Sequence, residues 1–376
     1  MSTTGPMGVA EEAKGGRMDT EQLQKLLLFG LQRGVSDIHF SVGHRPHYRV
    51  KGDLLPAKYP PLQAEDTIEI ARILTGDPGF EPHHLVRERD FSHSLPGIGR
   101  FRVHILKQRG TVGIIARVIP YEVKGFAALN LPPVLGDIAS ARRGLVLITG
   151  ATGMGKSTTM SAMIKHINET RHAHIVTVED PIEFLFAHGK CIITQREVGS
   201  DTESYRQALI AALRQDPDVI MVGEVRDQET AEICLKSAET GHLVISAIHT
   251  TDVVRTLERF VALFPPVAQE SARIHLADCL TAIISLRLLL NKSGLGRVPA
   301  VEVLRATRTV REYIRRGGDQ LEELVRIMEQ GKELYGMQSF DGHLLQLYRE
   351  GQLKIEVAKT AASNPEDFER AVTYGE

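Results

Sequence analysis

Hydrophobic and polar positions follow two different patterns along the chain, and the pattern changes near residue 130. Before that point Leu23, Leu27 and Leu31 recur every fourth residue, which predicts an amphipathic helix ending near Gly34. The segments after it alternate as antiparallel strands do: "SDIHFSV", "HYRVKGDLL", "DFSHSL", "GRFRVHILKQRG" and "TVGIIARVI", with a helix predicted over 64–75. Residues 19–119 are therefore predicted to form a mixed α+β domain, followed by a linker, 120–130, rich in turn residues.

From residue 131 onward, continuous apolar runs replace the alternation: "GLVLITG", "AHIVTVED", "DPDVIMVGE" and "GHLVISAIHT". Such runs, separated by helical stretches, are typical of parallel strands covered on both faces, so 131–300 is predicted to be an α/β domain. A further apolar run, "CLTAIISLRLLL", is interrupted by Arg287 and is interpreted as a core helix. Residues 301–376 are predicted to be helical, with two packing stripes: Leu321, Leu324, Val325 and Met328, then Phe340, Leu344, Leu347 and Tyr348.

The size and charge of the chain limit the classes of protein that it can represent. A length of 376 residues suggests two domains, and 42% hydrophobic with 24% charged residues is typical of a globular protein. The formal net charge is −2, so no overall basic field attracts nucleic acid or anionic lipid. A ring that moves DNA is disfavoured on this ground, and no nucleic-acid partner is expected.

Cysteine usage and apolar runs indicate the compartment. The three cysteines are far apart, which argues against a disulfide framework and rules out a four-cysteine zinc site within the chain. No segment approaches the roughly 20 apolar residues that span a bilayer. Residues 1–18 lack the apolar centre of a signal peptide and are predicted to be a disordered tail. We therefore expect a cytoplasmic protein that contacts a membrane only through partner proteins.

The segment "GATGMGKS" at 150–157 carries the strongest chemical signal. It fits G-x-x-x-x-G-K-[ST], with a strand predicted before it, 145–149, and a helix after it. Its glycines let successive backbone N–H groups face phosphates, while Lys156 is expected to reach the β- and γ-phosphates and the Ser157 hydroxyl to bind Mg²⁺. ATP and Mg²⁺ are the expected cofactors. The predicted nucleotide-binding residues are Gly150, Ala151, Thr152, Gly153, Met154, Gly155, Lys156, Ser157 and Thr158.

Two groups of carboxylates are candidates for the chemistry. Strand 219–222 is expected to lie beside strand 145–149, which precedes the phosphate-binding loop (P-loop) at 150–157, and to deliver Glu224 to the γ-phosphate as the base that orients water. A salt-bridged structural role for Glu224 is the alternative. The segment "VEDPIE" ends another strand, where ligands of open α/β sheets gather. Its Glu179 is predicted to help hold Mg²⁺ and its Glu183 to join the catalytic group, and a solvated acidic loop is the alternative.

These motifs together resemble one family. "GATGMGKSTT", "VTVEDPIEF", "LRQDPDVIMVGEVRD" and "AETGHLVISAIHT" closely resemble the Walker A, Asp box, Walker B and His box of secretion ATPases, and best match the PilT-like twitching-motility ATPases of type IV pili. The resemblance implies a RecA-like P-loop core with a smaller PAS-like domain before it. It also implies a homohexamer that couples ATP hydrolysis to pilus movement, most directly retraction, against a platform protein of the inner membrane.

The resemblance assigns roles to further residues. His249 in the His box would face the γ-phosphate, whereas His242 would organise the start of the strand; metal binding and core packing are the alternatives. Arg102 and Arg117 of the first domain would reach nucleotide, in the same subunit or the neighbouring one, unless they belong to a solvated face.

Two departures from the family pattern bear on these roles. Ala151 replaces a usual proline, and "TVREYIRRG" stands where retraction ATPases commonly carry "AIRNLIRE". A pilus-assembly or type II secretion ATPase, and an ATP-binding scaffold with little turnover, are the competing functions.

Overall fold

The described part of the chain, in a computed structural model, comprises residues 18–84, 88–95, 99–119 and 123–374. Apart from Met18, the predicted tail lies outside these residues, as do linker positions 120–122. The described residues divide into two compact units. The amino-terminal unit runs to residue 119 and also takes in Glu183–Leu185, and the carboxyl-terminal unit contains the remaining residues from Val123 onward.

The amino-terminal unit is a sheet covered by two helices. Its elements are α1 (Thr20–Gln32), β1 (Asp37–Phe40), β2 (His47–Val50), β3 (Asp53–Pro56), α2 (Ala64–Thr75), β4 (Arg89–Leu95), β5 (Gly99–Gln108) and β6 (Thr111–Ile119). The described strands form one antiparallel sheet in the order β3-β2-β1-β6-β5-β4. The α1 helix starts where the Asp19 side chain accepts the N–H of Gln22, and it ends just before Gly34, whose φ of +66° stops the helical path.

The carboxyl-terminal unit carries the α/β core. Its elements are α3 (Val134–Ala139), β7 (Gly144–Thr149), α4 (Lys156–Thr170), β8 (His174–Glu179), β9 (Ile192–Glu197), α5 (Tyr205–Ala212), β10 (Val219–Val222), α6 (Gln228–Glu239), β11 (Leu243–Ile248), α7 (Val253–Val261), α8 (Gln269–Cys279), β12 (Leu280–Leu290) and β13 (Arg297–Arg305). The helices α9 (Arg308–Arg316), α10 (Glu323–Gln330), α11 (Lys332–Tyr335), α12 (Phe340–Arg349), α13 (Ile355–Ala361) and α14 (Pro365–Tyr374) follow.

The sheet of this unit has the order β13-β12-β7-β11-β10-β8-β9 in the described residues, and every neighbouring pair is parallel except β12 and β13. Every residue of β7, β10 and β11 is buried, because helices cover both faces. The predicted fold class, an α/β P-loop core with a smaller α+β domain before it, is confirmed. The carboxyl ends of β7, β11, β10 and β8 share one edge of the sheet, and the candidate site lies there.

One expectation about this sheet is wrong. The strand that leads to Glu224, β10, does not lie beside the P-loop strand β7, because β11 pairs with both and separates them. Strand order in a parallel sheet is set by crossover connections and helix packing, so neighbours in space need not follow from motif order. The separating strand is the one that leads to His249.

The apolar run "CLTAIISLRLLL" is a strand and not the core helix that was expected. Leu280–Leu290 pairs in parallel with β7 and antiparallel with β13. A short apolar run has no period that separates a buried helix from a buried strand, and here the open edge of β7 decided the outcome. The predicted helical region starts a few residues later than expected, since β13 continues to Arg305 and the first helix after it, α9, begins at Arg308.

The segments beyond β13 bury most positions of the two predicted stripes, and Tyr348 is half-buried. Leu324 and Met328 of α10 are buried, and so are Phe340, Leu344 and Leu347 of α12, whereas Val325 is 39% exposed. These stripes therefore contribute to packing. No helix in the described ranges combines the length and apolar character that a membrane crossing requires.

Candidate nucleotide site

The P-loop is the short connection between β7 and α4. Gly150, Gly153 and Gly155 have φ angles of +149°, +80° and +92°, a region that side chains rarely adopt. A Cβ atom at Gly150 would also lie 2.8 Å from the carbonyl oxygen of Leu286. At Gly155, which precedes α4, no side chain caps the helix, so the first N–H groups of α4 remain available to an anionic ligand.

Lys156 occupies the concave side of this loop. Its Nζ donates to the carbonyl oxygens of Gly150 at 2.9 Å and Ala151 at 3.1 Å, and the residue is only 9% exposed. The same atom lies 3.4 Å from Nδ1 of His249. The ammonium group is therefore held against the backbone of the loop that leads into α4.

The strand order explains why Glu224 lies near this lysine. The Gly223 N–H donates to the Val178 carbonyl of β8 at 2.8 Å, and the Val225 N–H donates to the Ala247 carbonyl of β11 at 2.9 Å. The backbone on both sides of Glu224 is therefore fixed to two neighbouring strands. A Cβ at position 223 would lie 2.8 Å from the Tyr205 hydroxyl, so a larger residue there would require the tyrosine side chain to shift.

Glu224 is 9% exposed and has two cationic or potentially cationic neighbours. Its Oε1 contacts the Arg226 guanidinium, and this hydrogen bond raises the pKa of Arg226. Its Oε2 lies 3.0 Å from Nε2 of His249, within ion-pair distance. This approach is an ion-pair contact and not a hydrogen bond, and among the described residues this buried oxygen accepts no hydrogen bond. Oε2 is thus an acceptor suited to hold a water molecule.

His249 lies between the lysine and the carboxylate. Its Nδ1 faces Lys156 and its Nε2 faces Glu224, which follows from β11 lying between β7 and β10. His242 is at the opposite end of β11, where its Nδ1 lies 2.9 Å from the Ser237 carbonyl oxygen at the end of α6. The two histidines that bracket β11 therefore have separate environments at its two ends.

The residues predicted to hold Mg²⁺ approach the same edge. Ser157 lies in the first turn of α4, and Glu179 ends β8. Glu179 is 6% exposed and accepts hydrogen bonds from the Thr177 hydroxyl at 2.7 Å and the Gln195 amide at 3.2 Å. Glu183, predicted to be catalytic, is grouped with the amino-terminal unit instead. Its assignment stays a prediction.

A cavity of about 940 Å³ adjoins the P-loop on the side of β12. Met154 and Ala151 line it, and the sulfur of Met154 accepts the Leu288 N–H at 3.2 Å. The opposite wall is formed by α13, and apolar side chains of β12 dominate the floor. Sequence reasoning missed this cavity because it interpreted β12 as a helix.

Arg102 and Arg117 lie in the amino-terminal unit. They are directly opposite each other on β5 and β6 and so share one face of that sheet. The Arg117 Nε donates to Asp37 at 2.8 Å. Burial by itself would raise the pKa of Asp37, but hydrogen bonds from Arg117 and Ser36 outweigh it and hold that pKa below its ordinary value. Arg117 thus has a structural partner, and its predicted role toward nucleotide stays a prediction, as does that of Arg102.

The segment "TVREYIRRG" has a structural function in this unit. The Arg311 guanidinium of α9 donates to the carbonyl oxygens of Asp278 at 2.5 Å and Leu280 at 2.8 Å, and also contacts that of Ala277. It therefore caps the carboxyl end of α8, where four carbonyl groups lack helical partners.

A glycine-lined phosphate loop, a lysine within it and a buried strand-end carboxylate define a P-loop ATPase. A family model described as "Type II/IV secretion system protein" matches residues 120–366. The chain belongs to this family, and its predicted class, an ATP hydrolase of the PilT-like group, is confirmed.

Individual relatives agree with this assignment over nearly the whole chain. The "Type IV pilus retractation ATPase PilT" of Pseudomonas aeruginosa is 39% identical over 92% of this chain and 99% of its own length. The "Type IV pilus ATPase PilU" of the same species is 38% identical over 94% of this chain and 92% of its own. A crystal structure of the pilus retraction motor PilT with bound ADP superimposes with a TM-score of 0.82 at 39% identity, covering 93% of this chain and 99% of that one.

Proposed function

We propose that the chain is a motor ATPase that drives type IV pilus retraction. Its similarity to PilT and PilU over nearly the full length of each chain supports this function. The observation that carries the enzymatic part is the contact series Lys156, His249 and Glu224 at one edge of the sheet. It brings a phosphate-binding cation and a buried carboxylate oxygen to the two sides of one imidazole.

ATP is proposed to bind with its phosphates on the P-loop. Backbone N–H groups and Lys156 would surround the β- and γ-phosphates, as the uncapped start of α4 allows. The donor set fits Mg²⁺, since the Ser157 hydroxyl and the Glu179 carboxylate are the oxygen ligands that this ion prefers. Bound there, the ion would neutralise charge on the phosphates. Chelation is expected to stop hydrolysis, and full activity in excess EDTA would contradict a metal requirement.

The water that attacks the γ-phosphate is proposed to be oriented by Glu224. Its Oε2 is buried and accepts no hydrogen bond among the described residues, whereas Oε1 is held by Arg226. One oxygen therefore fixes the carboxylate and the other remains available to the water. His249, 3.0 Å from Oε2, would sense the same water or the γ-phosphate.

The cavity beside the P-loop is proposed to take the ribose and base. It begins at Ala151 and Met154, within the loop that holds the phosphates, and its apolar floor suits a flat ring. Arg255 and Glu356 on its walls offer polar contacts.

Substitution of Glu224 by glutamine tests the enzymatic part of the proposal. ATP binding should persist while turnover falls by about 100-fold or more, because the amide cannot accept a proton from water. Glu239→Gln is a matched control, since Glu239 also contacts a histidine, His275 at 2.5 Å, but at the end of α6. Unchanged hydrolysis in Glu224→Gln would remove this residue from the mechanism, and negligible wild-type turnover would favour the scaffold function.

The cellular part is tested by deleting the gene and counting surface pili. Excess pili that fail to retract support retraction, whereas bald cells would indicate assembly. Complementation with Glu224→Gln should resemble the deletion. We further propose that the protein acts as a homohexamer in the cytoplasm, at the inner membrane, against a pilus platform protein. Light scattering of the purified protein tests the number of subunits.

Arg102, Arg117 and Glu183 are proposed to contribute from the amino-terminal unit, in the same subunit or a neighbouring one. Mixing Arg102→Ala subunits with Lys156→Ala subunits tests the arginine across an interface. Recovery of ATPase activity in the mixture would support a contribution between subunits.

A further inference from the structure

A buried carboxylate outside the set just described connects the P-loop strand with the segment that carries His249. Glu302 lies on β13 and is 5% exposed, directly opposite Ser285 of β12. The sequence did not single it out, because it stands in an apolar run that was expected to be helical. Burial of a carboxylate is costly unless hydrogen bonds satisfy it, so its partners are informative.

The partners of Glu302 form one continuous network. Its Oε2 accepts the N–H of Val253, the first residue of α7, at 2.8 Å. Ser285, directly opposite on β12, faces the same carboxylate and lowers its pKa. The Ser285 Oγ also accepts the Thr149 hydroxyl at 2.9 Å. Thr149 is the last residue of β7 and directly precedes Gly150 of the P-loop.

Both ends of this network adjoin the site. Val253 follows His249 by four positions, and the intervening segment is short enough that fixing one end restricts the other. Nearby, the Thr250 and Thr256 hydroxyls lie 2.7 Å apart and also tie this segment to α7. Glu302 is therefore the group through which β13 and β12 hold the His249 segment relative to the P-loop strand.

We propose that Glu302 is a positioning residue of the ATPase site, whose ionised carboxylate holds the amino end of α7 and thereby sets the position of His249. This inference rests on the proposed hydrolysis at the P-loop. Ionised Glu302 suits this position, because a carboxylate accepts a charge-assisted hydrogen bond from the Val253 N–H. A protonated carboxyl group accepts more weakly from Val253, which loosens the segment.

The charges around Glu302 make this hold sensitive to pH. Burial raises the pKa of Glu302 to about 7; the Asp252 charge at α7 adds to the rise, whereas the Val253 N–H, Arg287 and Ser285 oppose it. On the other neighbouring element, α12, burial lowers the pKa of His343 to about 4, and its Nδ1 accepts the Val301 N–H. His343 is therefore neutral near pH 7, and Glu302 is the group in this network that changes charge there.

The experiment compares the wild type with Glu302→Gln in two measurements. Hydrogen exchange, corrected for the intrinsic rate, is followed in the peptide covering 249–256, and kcat and KM for ATP are measured from pH 6 to pH 8.5. In the wild type, protection of the Val253 amide and kcat should both fall by about tenfold as pH decreases, because a charge-assisted hydrogen bond becomes a neutral one. In Glu302→Gln both should be low and nearly independent of pH, with KM unchanged.

Two further variants separate positioning from a general structural effect. Ser285→Ala should reduce kcat while leaving the Val253 hydrogen bond, because it interrupts the connection to Thr149. Asp218→Asn is the control: it makes the same chemical change in a carboxylate that accepts the His174 N–H at 2.8 Å at the other edge of the sheet, and it should leave the profile unchanged.

The outcomes distinguish this inference from the proposed function. Wild-type protection at 249–256 that does not change with pH would overturn the inference, and so would a Glu302→Gln enzyme with the wild-type profile. Absence of ATP hydrolysis in the wild type would overturn the proposed function, while exchange at Val253 would still report on the hold by Glu302. If Glu302→Gln fails to fold, the wild-type exchange profile alone decides.

Discussion

The amino ends of α4 and α7 lie at the same edge of one sheet, yet only one of them is open to a ligand. Both helices follow neighbouring parallel strands, β7 and β11. At α7, Asp252 caps the N–H of Arg255 at 2.9 Å and Glu302 accepts that of Val253 at 2.8 Å. At α4, Gly155 provides no side-chain cap.

The two helix ends differ in whether side chains of the protein already accept their N–H groups. A helix amino end attracts anions through its unpaired N–H groups and its dipole. Two carboxylates of the protein itself, Asp252 and Glu302, accept N–H groups at the start of α7. The α4 end, bordered by glycines and by Lys156, is left for phosphates. The caps thus distinguish the two similar helix ends, and the uncapped end is the one proposed to hold the phosphates.

Removing the lysine ammonium group at the uncapped amino end of α4 should have the largest effect. Lys156→Ala should weaken ATP binding by about 100-fold and reduce turnover by about 1,000-fold, because the lysine contributes charge both in the ground state and in the transition state. The control is Lys165→Ala on the same helix, whose ammonium group pairs with Glu169 at 2.8 Å on the surface. Equal losses in both variants would contradict a specific role for Lys156; binding of a fluorescent ATP analogue and phosphate release measure the effects.

A carboxylate introduced at the uncapped amino end of α4 should make it resemble the capped end of α7. Gly155 has a φ of +92°, and no atom lies within 4 Å of the position of an added Cβ, so Gly155→Ala adds only backbone strain. Gly155→Asp adds similar strain, about 1–2 kcal/mol, and also a negative charge at the phosphate position. ATP should therefore bind at least about tenfold more weakly to Gly155→Asp than to Gly155→Ala. Equal affinities would mean that the cap at this position does not matter.

Glu302, which caps the amino end of α7, should give the stability of the protein a distinct dependence on pH. Because burial raises the pKa of Glu302 from 4.5 to about 7, its folded state retains a proton that the unfolded chain releases. Its contribution to stability is full below pH 4.5 and is lost as pH rises to about 7. The free energy of unfolding of the wild type, minus that of Glu302→Gln, should therefore fall across this range by up to about 3 kcal/mol. Urea unfolding at several pH values measures it, and a difference that rises with pH would contradict this account.

Removing one of the two side-chain caps of α7 should have the smallest effect. Asp252→Ala removes one cap of α7 and should cost about 1 kcal/mol of stability, with the second cap, Glu302, retained. Ser339→Ala removes the cap of α12, which accepts the Gly342 N–H at 3.2 Å, and should cost a similar amount. Thermal unfolding measures both. Hydrogen exchange of the amides in the peptide 249–256 should increase only in Asp252→Ala. An equal increase in both variants would argue against a local role for Asp252.

Local chemistry explains what could be predicted from the sequence. The P-loop is a contiguous segment whose glycines, lysine and flanking apolar residues specify its own conformation, so its location between a strand and a helix could be inferred directly. The same holds for the alternating strands of the first domain, for α2 over Ala64–Thr75 and for the packing stripe at Leu324 and Met328. In each case the period of apolar positions, or a cap within a few residues, carries the information.

The remaining features depend on contacts between segments far apart in the chain. The placement of β11 between β7 and β10, which puts His249 between Lys156 and Glu224, is decided by packing of the whole sheet. The apolar run at 280–290 became a strand because β7 offered it an unpaired edge. Glu302 gained its environment only when β13 paired with that strand. Segments with local geometry thus follow from the order of the amino acids alone, whereas packing of the complete core sets which segments face one another, because strand order and burial depend on contacts across the whole unit.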